Sequence, residues 1–163
     1  MNALVLNLSR MTHVERDPDW VFRRLHDPEE LLGCVPGGSL TRVISADRFE
    51  GRVVIGAGPF KFAYDGEGRI VDSDSKNRTA SLKLRGLNAG RVPMVRIRMS
   101  MAIQSHPLGS EIQMSFWVTV MDGRGLVKAG WVDWIAEDLA DRTVRRIKRQ
   151  LEAVPIEPGP VAA

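Results

Sequence analysis

The chain has 163 residues, of which 44% are hydrophobic and 26% are charged, and this balance is typical of one globular domain. Its formal net charge of +3 is too small to indicate nucleic-acid binding, and no run of about 18 apolar residues predicts a transmembrane helix. A single cysteine excludes an internal disulfide, and the first residues lack the apolar run of a signal peptide, so we expect a cytoplasmic protein.

The first predicted elements are a strand and two short helices. Residues 3–14 alternate polar and apolar side chains, as a strand with one buried face does. Pro18 and Pro28 each follow an aspartate, and an N-cap acid before proline is typical of a helix start. We therefore expect helices from Pro18 to about residue 26 and from Pro28 to residue 33, before a proline and glycine cluster at 35–38 turns the chain.

The central part of the chain predicts an antiparallel meander, because strand-like runs alternate with turn signals. The last two runs alternate most regularly, so one face of the sheet is dry and another element must cover it. With the first strand, the sheet should contain seven strands. The six predicted runs are 39–45, 48–56, 59–71, 77–86, 92–105 and 110–121.

The last element is a long helix, because apolar residues recur at helical spacing over 124–152. At 1.5 Å per residue such a helix spans roughly 40 Å, enough to cover the dry face. The sequence therefore predicts an α+β fold in which a seven-stranded curved antiparallel sheet wraps around a long C-terminal helix. We expect this domain to occupy 1–153, followed by a disordered tail at 154–163 that is rich in proline, glycine and alanine.

Candidate catalytic and metal-binding residues are few. His13, His26 and His106 fall in different predicted elements, and one cysteine provides no zinc-binding spacing, so we expect neither a metal nor another cofactor. Cys34 ends a short helix with no base beside it in sequence, which favours a structural thiol over a nucleophile. Nucleophile-elbow, dinucleotide-loop and His-Glu-x-x-His motifs are absent from the sequence, and we assign no catalytic residue.

A methionine-rich stripe predicts an apolar binding cavity. Two neighbouring strands place methionines on their dry face, and these deformable side chains suit a variable apolar guest, although plain core packing explains them equally well. The long helix adds two tryptophans opposite this face. We predict a ligand cavity of ~300 Å³ or more. Its predicted lining is Phe62, Tyr64, Met99, Met101, Met114, Phe116, Trp131 and Ile135.

Five basic residues near the end of the long helix form a second candidate surface. A solvated helix end explains part of this run, because cations are stabilised near a helix C-terminus. The alternative is contact with an anionic membrane or an acidic partner protein, which would place the protein at the inner face of the membrane. The residues are Arg142, Arg145, Arg146, Lys148 and Arg149.

Two segments resemble a known family. Residues 27–38, DPEELLGCVPGG, are similar to the Pro-x-x-Leu-x-x-Cys-x-Pro-Gly segment of the carbon monoxide dehydrogenase G-subunit family, within the START-like helix-grip superfamily (SRPBCC). Residues 51–62, followed by Gly66, resemble a strand pair of that family. The resemblance implies a helix-grip cavity for hydrophobic molecules and a non-catalytic role around a membrane-linked molybdenum hydroxylase, with a lipid or quinone as ligand.

Three functional hypotheses follow. The first is a binding module that holds an apolar small molecule between the sheet and the long helix. The second is an enzyme of the same fold, such as a cyclase, aromatase or small-molecule hydrolase, for which Tyr64 and His106 are the candidate polar groups. The third is an assembly or recruitment factor that acts through the basic helix end on oxidoreductase subunits or on the membrane. We favour binding over catalysis.

Overall fold

The computed structural model describes residues 2–57, 59–86, 94–122 and 129–156. This part of the chain forms seven strands and three helices, in the order that the sequence predicts. In chain order they are β1 (Asn2–Val14), α1 (Pro18–Leu25), α2 (Pro28–Cys34), β2 (Gly38–Val43), β3 (Arg48–Ala57), β4 (Phe60–Asp74), β5 (Thr79–Gly86), β6 (Met94–His106), β7 (Gly109–Asp122) and α3 (Ala129–Ala153).

The strands form one antiparallel sheet in the order β1-β7-β6-β5-β4-β3-β2. Consecutive strands from β2 to β7 are neighbours, and β1 pairs along its length with β7, the last strand of the meander. The register shifts between Leu40 and Arg42 in β2 and between Ile70 and Asp72 in β4, and such bulges increase the local twist of a sheet. The predicted α+β fold is therefore confirmed.

The two short helices begin where the sequence predicts, because an aspartate caps each of them. The Asp17 carboxylate accepts hydrogen bonds from the backbone N–H groups of Asp19 and Trp20, both at 3.1 Å. The Asp27 carboxylate accepts one from the Glu29 N–H at 3.0 Å. Each bond satisfies an N–H group that has no partner within the first turn of a helix. The helices end one residue from the predicted positions.

The C-terminal half of α3 packs into the core. Ile147 and Leu151 are fully buried there, in one cluster with apolar residues of α1, α2 and the sheet. Arg10 of β1 also holds α3 in place through an ion pair with Asp141 at 2.6 Å. None of the described helices is long and apolar enough to cross a membrane. Parts of three predicted segments lie outside the described residues. These parts are 92–93 of a predicted strand, 124–128 of the predicted long helix and 157–163 of the predicted tail.

Candidate functional site

A cavity of about 250 Å³ lies between the inner face of the sheet and the N-terminal half of α3. Strand alternation directs every second side chain of β3 to β7 towards it, and one side of α3 covers it. The walls are formed mainly by aliphatic and aromatic side chains. Among them are Val53, Leu84, Ile97, Phe116 and Val118 from the sheet and Trp131, Ile135 and Leu139 from the helix.

Three glycines on adjacent strands form part of the cavity wall. Gly51 of β3 lies directly opposite Gly66 of β4, and Gly66 lies opposite Gly86 of β5. All three border the cavity, so bare backbone replaces side chains across this part of the inner face. Glycine within a strand commonly marks a place where a ligand or another chain segment approaches the backbone closely. This glycine row was not part of the predicted site, although glycines at alternate strand positions are visible in the sequence.

Polar side chains are scarce in the cavity. Tyr64 and the buried Thr143 contribute the polar side chains that face it among the described residues. Burial raises the pKa of the Tyr64 phenol, so its hydroxyl stays protonated at neutral pH, and it has no hydrogen-bond partner in the described part of the chain. Glu67 and Arg85 also border the cavity. Their side chains, however, point to the outer face of the sheet, where they form an ion pair at 3.4 Å.

Five of the eight predicted lining residues do border the cavity: Tyr64, Met99, Phe116, Trp131 and Ile135. The side chain of Phe62 lies outside the described residues. Contact of these residues with a ligand remains a prediction. The cavity volume of about 250 Å³ is also somewhat below the predicted ~300 Å³.

Met101 and Met114 do not line the cavity, which corrects the predicted site. The two residues are cross-strand partners on the same face as Met99 and Phe116, one pair further along the strands. They are 5% and 1% exposed and belong to the core cluster that contains Ile147 of α3. Met101 and Met114 are in the core because α3 packs directly onto their end of the sheet. At the other end of the sheet, α3 leaves the space that forms the cavity.

Cys34 is a buried thiol with two acceptors in reach. Its Sγ lies 3.2 Å from both the Glu30 carbonyl oxygen and Gln150 Oε1, so its single S–H can donate to either. Burial, reinforced by the negative charge of Glu30, raises the pKa of the thiol to about 11. The thiolate is the nucleophilic form of cysteine, so Cys34 is poorly reactive near neutral pH.

We expect native protein at pH 8 to leave Cys34 unmodified by the thiol reagent 5,5′-dithiobis(2-nitrobenzoate), because both burial and the raised pKa of about 11 suppress attack. The same protein in urea should react stoichiometrically, since unfolding restores an ordinary thiol pKa. Absorbance of the released thiolate measures the reaction. Rapid labelling of native protein would contradict the structural assignment of Cys34.

The structure brings together two histidines that the sequence placed in separate elements. The His13 and His106 rings stack with their centroids 4.1 Å apart, and His13 Nε2 lies 3.3 Å from Glu111 Oε2. One ligand atom from each of His13, His106 and Glu111 lies within 4.8 Å of the others, so these partly buried side chains could together hold a metal ion. The Leu108 N–H donates to His106 Nδ1 at 3.1 Å, which leaves Nε2 of that ring as the available ligand atom. His106 is absent from the cavity lining, so it does not join Tyr64 as a catalytic pair.

The basic end of α3 is partly neutralised. Arg142 pairs with Asp138 at 2.7 Å, and Lys148 pairs with Glu152 at 2.7 Å. Arg145 and Arg149 are exposed and form no ion pair within the described residues. A membrane or partner role for this run remains a prediction.

The antiparallel sheet, the long helix across its inner face and the cavity between them define the helix-grip (SRPBCC) class. The model of the family of the carbon monoxide dehydrogenase G subunit (CoxG) matches residues 11–152. The chain therefore belongs to the CoxG family, as its two motifs predict. No curated protein sequence matches the chain significantly.

Solved structures show the same fold at low sequence identity. A conserved protein from Geobacillus kaustophilus is 19% identical with a TM-score of 0.73, over 91% of this chain and 95% of that one. A protein from Thermus thermophilus is 14% identical with a TM-score of 0.63, over 92% and 98% of the two chains. A Chromobacterium violaceum protein is 10% identical with a TM-score of 0.62, over 91% and 99%. These similarities establish the fold alone.

Proposed function

We propose that this protein binds an uncharged hydrophobic small molecule of the lipid or quinone class, without transforming it. The observation that carries this proposal is the cavity of about 250 Å³ with its largely apolar walls between the sheet and α3. Such sites typically combine an apolar lining with a few polar groups that orient the ligand.

The apolar lining of the cavity supports a binding role. The cavity is partly open to solvent and offers almost no polar groups, so water that enters it gains few hydrogen bonds from the walls. A hydrophobic ligand that fills the space removes apolar surface from water and gains van der Waals contacts with the lining.

The polar groups favour a neutral ligand. No lysine or arginine side chain points into the cavity from the described residues, so a buried carboxylate or phosphate would lack a counter-ion. An unpaired buried charge costs several kcal/mol. The Tyr64 hydroxyl can donate one hydrogen bond, which suits a carbonyl oxygen on an otherwise apolar molecule.

The same scarcity favours binding over catalysis. General acid–base chemistry needs a titratable side chain within hydrogen-bond reach of the reacting group. Tyr64 is the one titratable side chain directed into the described cavity, and its raised pKa makes it a poor base. Family membership extends the proposal: the bound molecule would serve a molybdenum hydroxylase of the carbon monoxide dehydrogenase type.

The binding experiment is a titration with a short-chain ubiquinone analogue, followed by quenching of tryptophan fluorescence. Wild-type protein should bind it saturably with one site. Tyr64→Phe should weaken this binding by roughly 3- to 10-fold, because a net hydrogen bond contributes about 0.5–1.5 kcal/mol. An aromatic hydrocarbon of similar size is the control, since it accepts no strong hydrogen bond and should bind both proteins equally. Absence of saturable binding for both probes would refute the proposed function.

A further inference from the structure

The outer face of the sheet, which points away from α3, carries a row of basic side chains across four strands. Arg48 of β3 lies directly opposite Arg69 of β4, and Arg69 lies opposite Lys83 of β5. Lys83 in turn lies opposite Arg98 of β6. All four are exposed, and we name them the basic row. Trp117 of β7, 37% exposed, lies opposite Arg98 and ends the row.

The fold gains nothing from this arrangement, because like charges directly opposite one another on neighbouring strands are destabilising. Two of the nearby acids are engaged: Glu67 pairs with Arg48 and Arg85, and Glu50 pairs with Arg42. Asp72, opposite Ser81, is exposed and forms no ion pair within the described residues. The remaining three members of the row form no ion pair within the described residues. Asp47 is close enough to Arg69 for their charges to interact, but the two form no ion pair.

One flank of the basic row is open. A row of three serines runs beside it, formed by Ser81 of β5, Ser100 of β6 and Ser115 of β7, which lie opposite one another. Each serine is two residues along its strand from Lys83, Arg98 or Trp117, respectively. These short side chains leave room for a second chain to approach the backbone of the sheet beside the long basic side chains. Arginine and tryptophan are the residue types most enriched among the energetically dominant contacts of protein interfaces.

We propose that this face docks an acidic segment of a partner protein, whose carboxylates pair with the basic row while Trp117 packs at its end. Neighbouring strands hold the cations at a spacing of about 4.8 Å, which rigidly held carboxylates can match. Lipid headgroups diffuse laterally and need no such register, so the ordered row favours a protein over a membrane. The proposal is independent of the ligand in the cavity.

The test uses poly-L-glutamate as the acidic probe and compares two variants of equal net charge. One carries Arg69→Gln, Lys83→Gln and Arg98→Gln; the control carries Arg23→Gln, Lys61→Gln and Lys76→Gln, which are exposed outside both the basic row and the basic end of α3. At low salt, the row variant should lose about tenfold in affinity and the control less than about twofold. Equal losses would show that only net charge matters and would overturn the proposal. So would unchanged poly-glutamate binding together with lost binding to phosphatidylglycerol vesicles.

A second variant tests the repulsion itself. Lys83→Glu converts two repulsive pairs, with Arg69 and Arg98, into two attractive ones. The midpoint of thermal unfolding should rise while poly-glutamate binding falls, a combination that a purely structural role would not produce. A lower midpoint, or unchanged probe binding, would count against the docking surface.

Discussion

Val118→Trp is expected to weaken binding of the ubiquinone analogue by more than about 100-fold, or about 2.8 kcal/mol. Val118 lies on the inner face of β7 and borders the cavity between Ile97 and α3. An indole there occupies space that the ligand needs. Because it fills an existing cavity and adds contacts with apolar neighbours, the variant should unfold cooperatively with an unchanged or higher midpoint. Fluorescence titration and thermal unfolding measure the two effects.

Thr119→Trp is the matched control for this change. It introduces the same side chain one residue later, where strand alternation directs it to the outer face beside Val5 and Arg96. This variant should bind the analogue as the wild type does. Tight binding by a folded Val118→Trp protein would show that the analogue binds elsewhere, and the cavity would lose its assigned role.

Gly68→Ala is expected to lower the free energy of unfolding by about 1–3 kcal/mol, the usual cost of overpacking a core. Gly68 of β4 lies directly opposite Phe49 of β3, whose buried ring lies across it and forms part of the cavity wall. A Cβ atom on residue 68 would lie 2.2 Å from Phe49 Cζ. The ring must therefore move out of its packed position. Urea denaturation at equilibrium measures the change.

Gly86→Ala separates this clash from the general effect of replacing a strand glycine. Gly86 borders the same cavity on the neighbouring strand, but a Cβ there would meet its nearest atoms at 3.6 and 3.7 Å, which is ordinary contact. Its effect should stay within about 0.5 kcal/mol. Adding Phe49→Leu to Gly68→Ala should recover part of the lost stability. Equal stabilities for the two alanine variants would contradict the assigned role of the Phe49 ring.

Local patterns in the sequence determined the architecture. Period-two alternation is a property of each strand alone, and aspartate before proline caps a helix whatever surrounds it. Seven strands, two short helices and one long helix could therefore be predicted in order, with boundaries within a few residues of those observed. The motif at residues 27–38 also identified the family that the comparison with residues 11–152 established.

Only the tertiary structure decided which part of the inner face remains open. Met99 and Met101 are equivalent by alternation, yet the first borders the cavity and the second is in the core, because α3 packs onto one end of the sheet. The glycine row and the basic row likewise join residues far apart in the chain. Strand register brings them side by side, and register depends on pairing between whole strands, which no local pattern reveals.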